Sequence, residues 1–460
     1  MPRYHSWHMR LHVNPPLASW RCHPPRDLSR DVLWRIIDDN AKRFGFAGPT
    51  TTDAIIATGH QPQLWHPGIL AKYVATAHAA RRLHTQTLHL IVDQDVHDAW
   101  SLNLPTRHGD RLDVIHTRLA LTDPNVPAGC QLPVDPAYVV ATIDALDAAV
   151  CVDMTKLRDA VADLPECGTL AQQMACLLDR LIRPHAGAMP VLFASDLARL
   201  PAFDELLQRM LDDPRLCAQT YNTAVEHHPQ AHVPLLRIDG DRIELPLWGL
   251  QWQQTRRPVM ADLAAPRGAA LTWPDGRLIN RETMTFAPRA LVLTGLMRWW
   301  CCDLFVHGTG GAVYDRVTEK WLHDWLGVEL APMAVVTADV HLQLDAPIAN
   351  RDELVRAHWR AHHLPHNIDR ELNLSEPCTF EKRRLIEGKG LDRDQRRRAF
   401  ERIHAINLQL AAEHADVVKA ARDELTRARA GVANHAVAMR RDWFFGLYPD
   451  AQLTFDLAMS

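Results

Sequence analysis

The fold of this chain is decided by residues 53–98, which read DAIIATGHQPQLWHPGILAKYVATAHAARRLHTQTLHLIVDQDVHD. Two apolar runs of strand length, residues 53–57 and 88–92, flank a stretch of helical length from Pro67 to Leu83. This alternation predicts a strand, a helix and a second strand that runs parallel to the first. The chain is therefore expected to be an α/β protein built on a parallel sheet.

Polar residues follow each of these two strands at the point where it ends. Residues 58–61 read TGHQ, and residues 93–98 read DQDVHD. Parallel strands of one βαβ unit end at the same edge of a sheet, and open α/β sheets bind ligands in the crevice outside that edge. The sequence therefore predicts a binding site that combines both polar segments.

Length and composition set the broad class of protein. The 460 residues predict two or three structural units, and the net charge of −4 gives no support for nucleic-acid or membrane partners. Nine cysteines without a Cys-x-x-Cys pair indicate reduced thiols rather than a disulfide or zinc framework. The N-terminus has no apolar signal-like run, so a cytoplasmic protein is expected.

The pattern outside residues 53–98 predicts six segments. Strands are expected at 111–121, 189–194, 303–306 and 333–340, and Asp-Gly turns at 239–240 and 275–276 indicate a small β-rich unit. The predicted division is an N-terminal arm (1–50), the first part of the core (51–230), a β-rich insertion (231–285), the second part of the core (286–345), a helical coiled-coil region (346–445) and a C-terminal tail (446–460).

The helical region carries the prediction of a partner. Residues 392–430 contain no Pro or Gly, and apolar residues recur three, four or seven positions apart. One continuous helix of this length would be about 60 Å long. We expect residues 351–387 to pack antiparallel against it, and the pair to form the arm of a homodimer.

A glycine-rich segment, residues 307–311, lies between a predicted strand and a helix expected over residues 312–326. Its sequence, HGTGG, lets backbone N–H groups approach a phosphate or carboxylate near the positive end of the helix. It is not a Walker loop, because no Gly-Lys-Ser/Thr follows. The alternative interpretation is a tight turn that simply requires glycine.

The polar segments also carry candidate chemistry. His60 can act as an acid or base, with Lys72 one or two turns into the next helix. Asp93, Asp95 and His97 share a face if the segment is extended, and can hold Mg²⁺ through water or take a proton from an amine. The alternatives are a polar cap over the sheet edge and a solvated turn. A zinc site from His60, His66 and His97 matches no standard spacing.

Three motifs carry a family resemblance. Residues 58–64 (TGHQPQL), with Pro67 and residues 72–73, resemble the T-G-Q-Q-x-G-L…G-P…Y-K run of the cysteine ligases of bacillithiol biosynthesis (BshC). Residues 93–98, with Asn103, are similar to the S-E-D-H-D…E-I-N segment of that family. The stretch from Arg289 through residues 305–311 is similar to its L-R-P…Y-V-G-G-P run.

The resemblance implies a Rossmann-like core, a coiled-coil dimerisation region and a reaction that joins cysteine to a glucosaminyl-malate acceptor. The chain departs from the family pattern at His60, which replaces Gln, and in the altered residues 93–98 and 308–311. These departures fit a distant member with another substrate.

The hypothesis from sequence is a ligase that joins an amino acid or amine to a small carboxylate or sugar-type acceptor, with ATP or ADP and Mg²⁺ as the expected cofactor. The alternatives are a metabolite-binding protein without catalysis and a metal-dependent hydrolase that uses the three catalytic candidates. Those catalytic candidates are His60, Asp95 and His97. The predicted ligand-binding residues are Thr58, Gly59, Gln61, Lys72, Asp93, Asp98, Arg289, His307, Gly308, Thr309, Gly310, Gly311 and Tyr314.

Overall fold

The computed structural model describes residues 9–22, 29–50, 54–265 and 269–457, and the predicted strand start at Asp53 lies outside them. The strands are β1 (Arg10–Asn14), β2 (Ile55–His60), β3 (Gln86–Ile91), β4 (Ser101–His108), β5 (Arg111–Arg118), β6 (Val191–Phe193), β7 (Ile238–Asp239), β8 (Arg242–Leu250), β9 (Arg257–Asp262), β10 (Ala270–Thr272), β11 (Thr285–Pro288), β12 (Leu304–His307) and β13 (Met333–Asp339).

The helices account for about half of the structure. They are α1 (Asp31–Phe44), α2 (Pro67–Leu83), α3 (Pro136–Leu146), α4 (Thr155–Ala162), α5 (Leu170–Ala186), α6 (Pro201–Asp212), α7 (Pro214–His227), α8 (Ala290–Leu296), α9 (Thr309–Leu326), α10 (Arg351–Glu371), α11 (Pro377–Glu387), α12 (Arg393–Glu413) and α13 (Ala415–Ala438).

A six-stranded sheet organises the described residues, with the strand order β1-β13-β12-β2-β3-β6. The five strands from β13 to β6 are parallel, and β1 pairs antiparallel with β13 at one edge. The prediction of a mixed α/β chain with a parallel sheet is confirmed.

Both faces of this sheet are covered at its centre, which explains why β2, β3, β6 and β12 are buried over most of their length, whereas β1 and β13 alternate. Ile55 and Ala57 of β2 point into a core shared with α1, α7 and α9, whereas Ile56 between them points into a core shared with α2 and α5. From β2 the chain moves through α2 to β3 in one direction. On the other side of β2, β12 leads through α9 to β13 in the opposite direction. The carboxyl ends of β2 and β12 therefore form a topological switch point, where open sheets bind ligands.

A second, antiparallel sheet lies in residues 238–288. Its order is β10-β9-β8-β11, with β7 paired to β8 across the predicted turn at Asp239-Gly240. Gly240 has a φ of +57°, a conformation that glycine adopts without steric cost. A separate hairpin joins β4 to β5, of which only β5 was expected.

The helical region differs from the prediction at one point. The expected continuous helix over residues 392–430 is wrong, because α12 ends at Glu413 and α13 begins at Ala415. Ile406 of α12 and Val418 of α13 both pack on Leu364 of α10, which requires the chain to turn between them. Contacts of Arg360 with Glu424 show that α10 lies against α13.

Two further findings concern the class of protein. All nine cysteines are unpaired thiols, as the sequence predicted. Within the described ranges, no helix combines the length and apolar character that a membrane span requires.

Candidate functional site

A cavity of about 680 Å³ lies at the switch point between β2 and β12. Its size is typical of small-molecule sites, which occupy roughly 300–1,000 Å³. Its lining brings together residues from both strand ends, from the first turn of α9 and from the antiparallel sheet. The polar lining residues include His60, Gln61, Lys72, Gln94, Asp95, His232, Arg256, Arg289, His307, Thr309, Tyr314 and Thr337.

The N-terminus of α9 forms one wall of the cavity. The helix begins at Thr309, so Gly310 and Gly311 lie in its first turn. The prediction that they form a loop before a helix starting at Ala312 is therefore wrong. No described side chain caps this end at Gly308, and the first N–H groups of a helix have no intrahelical acceptor. This wall therefore presents free N–H donors and the positive end of the helix dipole.

The glycines in this turn serve two different purposes. A Cβ on Gly311 would lie 2.6 Å from Nδ1 of His307, so glycine lets the helix approach that ring. A Cβ on Gly308 or Gly310 would meet no described atom within 4 Å. These two positions border open space in the cavity, where a ligand can approach the backbone.

Lys72 contributes a buried amine without a counter-ion. Its side chain is 3 % exposed, and its Nζ donates a hydrogen bond of 2.5 Å to the Gly59 carbonyl oxygen. No carboxylate of the described residues forms a salt bridge with it. Burial lowers the pKa of Lys72 to about 7. An anionic ligand in the cavity would therefore supply the charge partner that this amine lacks.

His60 lies beside Lys72 at the end of β2. Its Nδ1 is 3.3 Å from the Gln61 carbonyl oxygen. Burial, followed by the charge of Lys72, lowers its pKa well below the ordinary value. The ring is therefore neutral at physiological pH, and is suited to hydrogen bonding more than to proton uptake.

Two arginines enter the cavity from the antiparallel sheet and flank one tryptophan. The guanidinium carbon of Arg289 lies 4.0 Å from the centre of the Trp248 ring, and that of Arg256 lies 4.6 Å from it. Arg289 is paired with Glu244 at 2.7 Å. The two cations are thus held in place by stacking and by carboxylates. Arg256 and Trp248 were not predicted, since no local motif marks them.

Asp95 is the acidic group of the cavity, and both of its oxygens are engaged. Oδ1 pairs with Arg256 at 2.5 Å, and Oδ2 accepts a 2.8 Å hydrogen bond from Nε2 of Gln61. In this arrangement Asp95 neutralises a cavity arginine and is not a free base. The predicted meeting of His60, Gln61 and Asp95 at one site does occur.

His307 belongs to a buried network of charged side chains that includes Asp315 and Arg298. His307 Nε2 lies 2.9 Å from Oδ2 of Asp315, and Arg298 donates to the same oxygen at 2.6 Å. Burial alone would raise the pKa of Asp315, but its hydrogen bond with His307 and the charge of Arg298 hold it below the usual range. Arg298 therefore serves this network and does not line the cavity.

Four predicted site residues do not line the cavity. The idea that Asp93, Asp95 and His97 share one face is wrong, because residues 93–95 form a turn and are not extended. Each of the four has partners elsewhere: Thr58 Oγ1 donates to the Val306 carbonyl oxygen, Asp93 accepts from the N–H and Oγ of Ser195, His97 Nε2 lies 3.0 Å from the Pro62 carbonyl oxygen, and Asp98 pairs with Arg118.

The histidines of the region do not form a metal site. His66 instead caps α2, where its Nδ1 accepts a hydrogen bond from the Gly68 N–H at 3.1 Å. In the parts of the chain that the structure describes, no group of three or more His, Cys, Asp or Glu side chains is positioned to hold a metal ion. The zinc arrangement of His60, His66 and His97 therefore has no geometric support.

Comparison with known proteins adds no assignment to this geometry. No protein-family model matches the chain, and no curated protein sequence matches it.

Proposed function

We propose that this chain is a ligase that joins an amino acid or amine to a small carboxylate or sugar-type acceptor, with an anionic ligand bound in the cavity between β2 and β12. The observation that carries the proposal is the pairing of an uncapped helix N-terminus with a buried lysine that has no counter-ion. Each of the three motifs that resemble the bacillithiol cysteine ligases contributes at least two residues to the lining of this cavity. A distant relationship to that family is part of the proposal.

The anion would be held by the N–H groups of residues 309–311, by Lys72 and by Arg289. These donors are fixed before the ligand arrives, since α9, α2 and the antiparallel sheet position them. Preorganised donors of this kind stabilise the charge that develops when a phosphoryl or acyl group is transferred. The side chains of the cavity therefore suit a reaction with an anionic transition state.

A nucleotide with Mg²⁺ is the proposed cofactor. Its phosphates would be held at the first turn of α9, which is the feature that nucleotide-binding α/β folds use. Apolar side chains of Ile69, Leu291 and Leu293 line the same cavity and would contact the less polar part of the ligand. The open space at Gly308 and Gly310 leaves room for phosphate oxygens. The nucleotide would act as a consumed substrate.

The finer architecture belongs to the same proposal. We infer that the parallel sheet is a Rossmann-like core, that the helical region is the arm of a homodimer, and that the protein acts in the cytoplasm. Trp359, Phe400 and Leu408 on this helical region are about 60–70 % exposed, which favours a surface that a second copy covers. Sedimentation velocity of the protein and of a Trp359→Glu, Phe400→Glu variant would test the dimer.

Thermal unfolding with ATP, ADP, AMP or cysteine, each with and without Mg²⁺, tests the ligand. A ligand at about 100 times its dissociation constant adds roughly 2.7 kcal/mol to the free energy of unfolding. A shift specific for nucleotides would support the ligase proposal. No shift with any nucleotide, and none with inorganic phosphate, would contradict it.

A second candidate function is a metabolite-binding protein without catalysis. The engagement of both Asp95 oxygens favours it, because no free carboxylate base then faces the ligand. It predicts the same thermal shift as the ligase without turnover. Release of ADP or AMP from ATP in the presence of amino acids would therefore separate the two functions.

A further inference from the structure

His307 differs from the other histidines of the cavity because its ring contacts a buried carboxylate. His307 ends β12, and its side chain is 4 % exposed. Its Nε2 contacts the fully buried carboxylate of Asp315 at 2.9 Å, and Arg298 fixes that carboxylate from the other side. Arg298 is itself anchored, because its Nε donates to the Ala331 carbonyl oxygen at 2.7 Å.

This contact determines which ring nitrogen of His307 carries the proton. Asp315 is ionised, since Arg298 pairs with the same oxygen at 2.6 Å and its pKa is held below the usual range, so it accepts the hydrogen bond and Nε2 must donate. In the neutral ring the lone pair is then on Nδ1. That atom makes no hydrogen bond with any described residue, and it faces Gly311 in the first turn of α9, on the cavity wall.

The other candidate bases are less suited to proton transfer. Asp95 is held by Arg256 and Gln61, and His97 lies outside the cavity lining. His60 has no carboxylate behind it to stabilise a positive charge on its ring. His307 alone among these four combines an available nitrogen in the cavity with a buried anion that would stabilise its protonated form.

We propose that His307 accepts the proton of the attacking amine at Nδ1, and that Asp315 is the positioning residue that holds its tautomer and stabilises its charge. This inference rests on the proposed ligase function. It replaces His97 and Asp95 as the proton acceptor expected from the sequence.

The proposed reaction has two steps. The carboxylate of the acid first attacks a phosphorus of a nucleoside triphosphate, which gives a mixed anhydride and releases the nucleoside diphosphate if a phosphoryl group is transferred or pyrophosphate if a nucleotidyl group is transferred. The nitrogen of the amine attacks the acyl carbon and forms the C–N bond. Its N–H proton passes to Nδ1 of His307. The bond between the acyl carbon and the oxygen that bridges to phosphorus breaks, and its electron pair leaves on the phosphate. His307 then returns the proton to solvent or to the leaving phosphate.

Hydroxylamine distinguishes this role from a structural one. It is uncharged at neutral pH and is a strong α-nucleophile, so it captures an activated acyl group without the assistance of a general base. The experiment uses the full chain with MgATP, a mixture of amino acids as the acid, and either hydroxylamine or glucosamine as the nucleophile. His307→Gln is the test variant, because its amide nitrogen can still donate to Asp315.

The expected result is a split between the two nucleophiles. Amide formation with glucosamine falls about 100-fold or more in His307→Gln, the usual size of a general-base contribution, while hydroxamate formation stays within about threefold of wild type. Asp315→Asn removes the charge but keeps an oxygen for Nε2, so it should show the same split to a smaller extent. Exposed His108, replaced by Asn, is the control for loss of an imidazole.

Each other outcome overturns a defined part of the argument. Equal loss with both nucleophiles in a folded His307→Gln protein would mean that His307 only supports the site. No loss with either would exclude it as the base. If the wild-type protein forms no ATP-dependent hydroxamate with any acid, the proposed ligase function itself fails, and the base assignment fails with it.

Discussion

Two pairs of strand ends lie along the same edge of the parallel sheet, and they behave in opposite ways. At the end of β3 and β6, the Asp93 carboxylate accepts hydrogen bonds from the Ser195 N–H at 2.9 Å and from the Ser195 Oγ at 2.5 Å. At the end of β2 and β12, Lys72 and the first turn of α9 are left facing a cavity. Both ends carry polar residues, but among the described residues only the end of β2 and β12 leaves a lysine without a counter-ion and a helix N-terminus without a side-chain cap.

The difference follows from the topology of the sheet. Between β2 and β12 the direction of the chain reverses, so α2 and α9 leave toward opposite faces and a crevice opens between them. Between β3 and β6 there is no reversal, and the strand ends close on each other. Polar residues at a strand end therefore indicate a site only where the topology keeps them apart.

Asp93→Asn tests the end of β3 and β6, where the polar groups pair with each other, and should give the largest effect. Burial raises the pKa of Asp93 from 3.8 to about 6, so the folded state binds this proton more tightly than the unfolded chain. Its contribution to the free energy of unfolding is greatest at low pH and is lost as pH rises from about 4 to about 6. Asparagine does not titrate, so the free energy of unfolding of the variant does not fall in this way. Relative to wild type it should gain roughly 3 kcal/mol between these limits, at about 1.4 kcal/mol per pKa unit.

Urea unfolding of both proteins at a series of pH values would measure this gain. ATP binding should be the same in both at neutral pH, because Asp93 does not line the cavity. A stability difference that is independent of pH would show that burial does not raise the pKa of Asp93. Loss of binding in the variant would erase the distinction between the two strand ends.

Lys72→Met tests the end of β2 and β12, which faces the cavity. Removing a charged hydrogen-bond donor from the anion should weaken ATP binding about 10- to 100-fold, because such bonds contribute roughly 1.5–3 kcal/mol. The free energy of unfolding should not fall, since burial disfavours the charged amine and methionine fills similar space. Calorimetric titration and urea unfolding measure the two quantities. Lys42→Met, at an exposed lysine paired with Asp38, is the matched control.

Asp95→Asn should have the smallest effect, and its direction is informative. The carboxylate neutralises Arg256, so the amide variant leaves the cavity more positive. We expect ATP affinity to rise about fivefold, or ~1 kcal/mol, as for a partly exposed ion pair. A loss of affinity would show instead that Asp95 contacts the ligand directly or holds its magnesium ion. Measurement at low ionic strength would make the change easier to detect.

Much of the core could be predicted because local sequence determines it. The helix over residues 67–83 has the bounds expected from its pattern, and the strand at residues 333–339 differs from the prediction by one residue. Gly59, His60, Gln61, Lys72 and residues 307–311 were placed together from the rule that parallel strands end at one edge, and they line one cavity. The Asp-Gly turn at 239–240 followed from the backbone needs of a hairpin.

The rest depends on tertiary contacts that no local pattern contains. Arg256 is 161 residues from Asp95 in sequence, and nothing around it marks an ion pair. The turn at residues 93–95 places Asp93 against Ser195, a partner 102 positions away. The break at His414 carries neither Pro nor Gly, and arises from packing of two helices on α10. The strand at residues 101–108 was not predicted, and it contains Pro105, a residue type that argues against a strand.

The central claim is that the cavity at the β2–β12 switch point binds an anion on the first turn of α9. The most direct test is calorimetric titration of MgATP into wild type and Gly310→Asp. A side chain there meets no described atom within 4 Å, and an acid in the first turn of a helix stabilises it by about 0.3–1 kcal/mol. Ala137→Asp, in the first turn of α3 and outside the cavity, is the matched control.

We predict that wild type and Ala137→Asp bind ATP equally, and that Gly310→Asp is folded, at least as stable as wild type, and unable to bind. Binding by Gly310→Asp at wild-type affinity, or the failure of wild type to bind ATP, ADP and inorganic phosphate alike, would contradict the claim.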